Sequence, residues 1–323
     1  MGARRRSRAA PAFISAPSGE ISHAWMEVIM NQALRRPLIY LLFVLPGLVL
    51  FAAFFIYPVL TAVTNSFTSW NGISQDKAYI GVDNYTLALS DAAFWRSVRN
   101  NSYFILFSCF VQVPLIVLFS LLIAQVKKLK GLYKTAVFLP SILSTAVIGI
   151  LWGFIYHPDF GLMNEALGLF GIESVYWLSD RRWAMVAILI TNAWQWTGFY
   201  IIMVLAAILA IPAELEEAAR IDGATGIQRA LRITLPLIVP ILSVVVMLSI
   251  AGAMKAADIV LVMTKGGPAG STDVMATYMI RYAITSFKHG YGNTIAVLIF
   301  VFTIVLTAVY QLLIARRIEG REA

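Results

Sequence analysis

Six long apolar runs, separated by short polar segments, set the pattern of this chain. They cover 38–63, 102–126, 133–156, 184–210, 237–262 and 294–315, and each reaches the about 20 apolar residues that cross a bilayer as a helix. The pattern predicts an all-α membrane protein with a six-helix domain over 37–318, a preceding tail over 1–36 and a short tail over 319–323. In the first tail Arg4, Arg5, Arg6 and Arg8 precede a run interrupted by Pro11 and Pro17. That run is too short for the apolar core of a signal peptide, so no cleavage is expected. Residues 21–36 form either an interfacial helix, with Ile21, Trp25, Val28 and Ile29 on one side, or a disordered basic tail.

The longest polar interruption on the way to the fifth run, 212–236, has its own helical grammar. Pro212 is preset for a first helical turn, and Glu214, Glu216 and Glu217 place negative charge near a helix N-terminus. Gly223, after Asp222, reads as a stop. Thr225, followed three residues later by Gln228, has capping-box spacing, so a second helix starts there and ends by Leu235, before Pro236. Charge and capping alone leave two readings, a solvated interhelical loop and a helical pair that docks into something outside the membrane.

Lysine and arginine counts orient the spans. With both termini in the cytosol, the cytosolic segments hold sixteen such residues and the outer segments eight, with Lys255 inside a span. The positive-inside rule therefore places 212–236 in the cytosol. Composition agrees with the membrane reading: 59% hydrophobic and 13% charged residues with a mean hydropathy of +0.78, against about 25% charged in soluble domains. The net charge of +8 comes from residues scattered at span ends, which fits anionic lipid headgroups and not nucleic acid. Cys109 is the sole cysteine, which excludes an intramolecular disulfide, and it reads as a small apolar filler.

Polar residues inside the runs mark where a solute could pass, because polar groups at membrane depth need partners. The fourth run holds Asn192, Trp194, Gln195, Trp196 and Thr197. At 1.5 Å per residue Asn192 lies about 12 Å below Ala184 and Phe199 about 22 Å, so the cluster brackets the midplane of a core about 30 Å thick. Asn192, Trp196 and Phe199 share a face, offering an amide for hydroxyls beside aromatic rings for sugar faces. The competing reading is a helix-to-helix hydrogen bond for Asn192 and Gln195, with the tryptophans as packing. Ser141, Ser144 and Thr145 in the third run line the same path or bond back to their own backbone. Lys255 and Asp258, three apart and so neighbours on one helix, form either an interfacial ion pair or a guard at the outer mouth. His23, His157 and His289 are scattered, and neither HExxH nor a Walker-type GxxxxGK[ST] is present, so no catalytic set is predicted and the chain is not read as an enzyme.

Glu217, Ala218 and Ala219, three residues, Gly223, nine residues, Ile233, one residue, then Leu235 and Pro236 resemble the EAA signature of the permease subunits of binding-protein-dependent ABC importers. Outer segments extend the likeness from about Leu38 to the C-terminus: 79–94, then 157–164 with Trp177 and Leu178, and 264–268 with Ser271 and Thr272 are similar to stretches of the sugar-importing members, although ordinary turn chemistry also accounts for each. The resemblance implies a type I importer permease fold with cytosolic termini and places substrate contacts on the fourth span. It also implies that 212–236 is a coupling loop, with Glu217 pairing a basic residue of an ATPase, Ala218 and Ala219 keeping the contact surface low and Gly223 allowing a close turn. The implied partners are a second permease subunit, normally a different chain, two ATP-binding cassette subunits that bind ATP and Mg in place of this chain, an extracytoplasmic solute-binding protein, and lipid. Ala257 departs from the aromatic residue often seen before Asp258, which leaves the sugar unspecified. A permease for phosphate or peptides, or an ion-driven carrier, is the alternative.

Overall fold

A computed structural model describes residues 37–322, so the expectations for the tail 1–36 lie outside the described residues. The chain divides into two units, Met1–Thr61 and Ala62–Ala323. The described part of the first, 37–61, is helical throughout, and from Leu41 onward it belongs to the candidate span α1, Leu41–Ser66. The described residues are all helix and loop, apart from one isolated bridge between Thr68 and Tyr79.

Three further uninterrupted helices are long and apolar enough to span: α3 (Ala92–Gln125), α7 (Ala184–Leu209) and α13 (His289–Glu322, apolar over His289–Leu313). The remaining two expected spans are broken. The third is a pair, α4 (Lys130–Ile142) and α5 (Thr145–Ile155), bent by 99°, and the fifth is α10 (Val239–Met254), bent by 68° from α9 (Gly226–Leu237) before it. Short helices fill the connections: α2 (Asp83–Ser90), α6 (Leu162–Gly168), α8 (Ala213–Ile221), α11 (Ala257–Met263) and α12 (Met275–Ile280).

Prolines explain much of this geometry. Proline lacks an N–H, and its ring collides with the carbonyl four residues back, so a helix that contains one must kink or widen. Wide π-turns at Ala52–Ile56, Ser108–Gln112 and Ala230–Thr234 sit immediately ahead of Pro58, Pro114 and Pro236. The last of these carries α9 through Pro236 to Leu237, beyond the stop expected before that proline. α3 also begins ten residues earlier than its apolar run, where Asp91 caps it by accepting from the Ala93 N–H at 2.7 Å.

The second unit has no single core. α7 packs on α4 and on the latter half of α3, α11 on α5, α10 on α13, and α12 on α13 and the first half of α3. One buried cluster, with Ile116, Ile123, Ile201, Val204, Leu205, Ile208, Ile238 and Val245, lies toward the 212–236 elbow. A second, with Phe104, Met185, Ile188, Leu189, Ile259, Val260 and Val274, lies toward the other end. Packing in a bilayer relies on close backbone approach at small residues, and Gly198 is where α7 touches α4. A Cβ built there would fall 1.6 Å from the Val137 carbonyl oxygen. The loops are held by side-chain amides. Asn84 donates to the carbonyls of Ser66 and Thr68, both at 2.9 Å. Asn164 donates to Pro158 and Val175 and accepts from the Trp177 indole at 2.9 Å. Thr264 and Thr272 share a 2.8 Å hydrogen bond across the 264–272 loop. These residues lie in the outer segments singled out by sequence, and here they serve as turn and loop fasteners.

Candidate functional site: a cavity at two helix breaks and a polar elbow

A cavity of about 270 Å³ opens where α3, α5, α7, α10 and α11 meet. It is bordered by Phe104, Ala253 and Ile259 of one buried cluster and by Tyr200 of the other. Of the residues proposed from sequence for the solute path, Asn192, Trp196, Thr145, Lys255 and Asp258 line it. Asn192 is half-buried and its amide takes part in no hydrogen bond among the described residues, while Trp196 is exposed toward the space. Phe199 lies outside the lining and meets Trp196 edge to face, with ring centroids 6.5 Å apart. The lining follows the i, i+4, i+8 ridge Asn192, Trp196 and Tyr200, which leaves Phe199 on the flank of that ridge.

Gln195, Ser141 and Ser144 have other work. Gln195 is buried, and its Nε2 donates to the Leu143 carbonyl at 3.4 Å and to Thr145 Oγ1 at 3.2 Å. It thereby satisfies a carbonyl left open where α4 ends, as any helix end within a bilayer requires. Its Oε1 is buried without a partner. Ser141 donates back to the Phe138 carbonyl at 2.7 Å. Ser144 is the N-cap of α5 and accepts from the Val147 N–H. Pro140 near the end of α4 and this serine cap together explain why the third span breaks.

Lys255 and Asp258 correct the sequence reading. They were expected as neighbours on one helix, but α10 ends at Met254, Lys255 is its C-cap, and α11 starts at Ala257. No ion pair joins them, since among the described residues the salt bridge is Arg281 with Asp273. The break is stable because Asn101, on α3, donates its Nδ2 to the Ala253 carbonyl at 2.6 Å and accepts from the Met275 N–H at 2.8 Å. Each broken span thus has a carbonyl at its break gripped by an amide from an intact one, Gln195 at Leu143 and Asn101 at Ala253.

Sequence reasoning missed Ser108, Gln112 and Ser249 in the lining. Ser108 donates to Gln112 Oε1 at 2.8 Å, and Gln112 Nε2 donates to Thr197 at 3.3 Å. Ser108 and Gln112 bound the π-turn of α3, and a polar pair four apart ahead of a proline in an apolar run was the available signal.

The turn at the middle of the elbow is built as its local signals predict, whereas Pro212 is the N-cap of α8 and lies outside its first turn, and α9 overruns Leu235. α8 ends in a Schellman motif: Gly223, at φ +79°, donates to Arg220 O, and Ala224 donates to Ala219 O at 2.9 Å. Thr225 and Gln228 complete the capping box reciprocally. Glu214, Glu217, Ala218, Asp222 and Pro236 are exposed, Ala219 is buried, and Ile233 and Leu235 are half-buried. Beside the acids the elbow exposes four apolar side chains, Leu215, Ile221, Ile227 and Leu231, of which Ile221 (86%) and Ile227 (75%) are the most open.

A family model for binding-protein-dependent transport system inner membrane components matches residues 84–319. The chain belongs to that family. This inner membrane component is therefore a multi-pass protein of the cell membrane. It is 33% identical over 277 residues to the probable ABC transporter permease protein YurN of Bacillus subtilis, covering 84% of this chain and 94% of the relative. It is 32% identical over 278 residues to the sulfoquinovosyl glycerol transport system permease protein SmoG of Agrobacterium fabrum, covering 84% and 89%. Its fold matches a chain of a bacterial alginate ABC transporter, crystallised in complex with alginate pentasaccharide-bound periplasmic protein, with a TM-score of 0.78, 25% identity and coverage of 89% and 97%.

Proposed function

We propose that this inner membrane component is the permease subunit of an ATP-driven importer for a sugar, oligosaccharide or related polyol, and that the cavity at Asn192 and Trp196 is a station on the solute's path. The observation that carries the reading is the lining itself. An amide and two charged groups, Lys255 and Asp258, none of them paired among the described residues, meet an exposed indole in one cavity between five helices, where polar groups without protein partners are costly unless a pathway hydrates them. Hydroxyls pair with the amide and the charged groups, and the ring face stacks on Trp196. The volume, about 270 Å³, lies just below the range of about 300–1,000 Å³ for ligand pockets, suited to one sugar unit at a time.

Sugar chemistry is also what two relatives are named for, the sulfoquinovosyl glycerol permease and the alginate transporter. The periplasmic protein in the alginate complex supports a solute-binding protein as the partner on one face. On the other, the elbow is the docking element for an ATPase that holds ATP and Mg, with Glu217 as its ionic contact and Ile221 and Ile227 as its apolar one. The termini and the elbow face the cytosol, and a second permease, a different chain, completes the path. ATP-dependent uptake of labelled sugars by the reconstituted complex tests the cavity: Asn192→Ala and Trp196→Ala should each raise KM about tenfold or more, as expected for losing a buried hydrogen bond or a stacking face. Unchanged uptake kinetics in both variants would remove the cavity from the path.

A further inference from the structure

Four arginines converge at the end of the second unit remote from the elbow. Arg96 and Arg99, on the first turns of α3, and Arg181 and Arg182, just before α7, rim a groove of about 740 Å³ whose floor includes Tyr103, Leu106, Phe107, Met185, Val186 and Leu189. All four arginines are exposed, and none forms a salt bridge among the described residues. Of the nearby acids, Asp273 pairs with Arg281, while Asp180, which accepts the Arg182 backbone N–H at 2.7 Å and forms no salt bridge among the described residues, can offset only one of the four positive charges. Arg96 reaches only a carbonyl, that of Ala269, at 3.3 Å.

The two helices repeat one design. Arg99, Tyr103 and Leu106 fall at i, i+4 and i+7 on α3, and Arg182, Val186 and Leu189 fall at the same spacing descending into α7, so each wall is a stripe that is basic above and apolar below. Counting about 20 residues up from the elbow-side ends, Gln125 and Leu209, puts Leu106 and Leu189 at the hydrocarbon boundary on both helices. Seven residues higher, at about 10 Å, Arg99 and Arg182 stand at the level of the headgroups. Positive charge is normally sparse at this end of a span, so four arginines without a salt bridge there, against the single carboxylate of Asp180, call for an anion, and the apolar floor calls for one with a hydrocarbon tail.

We infer that this groove holds an anionic phospholipid of the leaflet remote from the elbow, its phosphate among the four arginines and an acyl chain along Leu106, Phe107, Val186 and Leu189. The test is native mass spectrometry of the intact transporter complex in mild detergent, after exchange into nanodiscs of phosphatidylglycerol or of phosphatidylcholine, with affinity for the solute-binding protein measured in parallel. The wild type and Lys288→Gln, an exposed cation elsewhere in the same region, should retain phosphatidylglycerol in preference to phosphatidylcholine. Arg99→Gln with Arg182→Gln should weaken that retention about 25-fold, from about fivefold per arginine near a membrane surface, and the paired lysine variant should keep most of it. Absence of bound phosphatidylglycerol in the wild type would overturn the proposal. So would equal retention by the glutamine variant, including the case in which that variant loses only the solute-binding protein, which would reassign the arginines to protein docking.

Discussion

Gly198→Ala tests the crossing of α7 over α4 that fixes one wall of the cavity. The added Cβ would lie 1.6 Å from Val137 O, 2.5 Å from Val137 C and 3.1 Å from Phe138 Cα. Restoring even 3.0 Å to the oxygen requires the two backbones to part by about 1.4 Å, and gaps of 0.5–1 Å already forfeit a quarter to a half of each van der Waals contact along the seam. Overpacking costs about 1–3 kcal/mol, occasionally more, and a backbone obstacle cannot swing aside as a side-chain end would, so about 3 kcal/mol is expected. At about 2–4 °C per kcal/mol this lowers the melting temperature by about 6–12 °C. Gly153→Ala on α5 is the matched control: nothing lies within 4 Å of its added Cβ, and the exchange gains about 0.8–1 kcal/mol of helix propensity. Thermal melting of both variants in the same detergent decides the matter. If Gly198→Ala melts with or above Gly153→Ala, the close crossing is wrong.

The other variants probe the helix break and the elbow. Asn101→Leu leaves the Met275 N–H buried without a partner, at about 1–3 kcal/mol, and the Ala253 carbonyl with only the long backbone bond from Ala256 at 3.4 Å; melting should fall by several degrees, and spin labels on α11 should report greater mobility than in the wild type, with unchanged mobility refuting the strut. Ile221→Glu with Ile227→Glu should leave melting unchanged, because both side chains are exposed, yet abolish co-purification of the ATPase; undiminished co-purification would remove the apolar pair from the contact.

What was legible in the sequence was local. The elbow could be read because a Schellman glycine and a capping box are decided by residues within one turn, and Gly223, Thr225 and Gln228 all adopt the predicted roles. The spans could be read because apolar length is a strong constraint. The breaks were harder, since whether a helix stops at Met254 depends on an amide from Asn101, 152 positions away along the chain. Gln195 makes the helix-to-helix hydrogen bond that was one of its two readings, with only its partners, Leu143 and Thr145, set by distant packing, and the same distance effect hid Ser108 and Gln112. The fate of α9 at Pro236 turned on a π-turn; the proline that follows it signals a kink, a stop or a widened turn alike.

The central claim is that ATP hydrolysis by a separate subunit drives a sugar through this chain by way of the elbow. Proteoliposomes carrying the chain, its second permease, the ATPase and the solute-binding protein, with wild type or Glu217→Lys, measure it directly. The wild type should take up labelled sugar only when the ATPase side has ATP, and Glu217→Lys should melt normally, because Glu217 is exposed, while uptake falls to the level without ATP. Uptake that proceeds without ATP, or that survives Glu217→Lys at the wild-type rate, would contradict it.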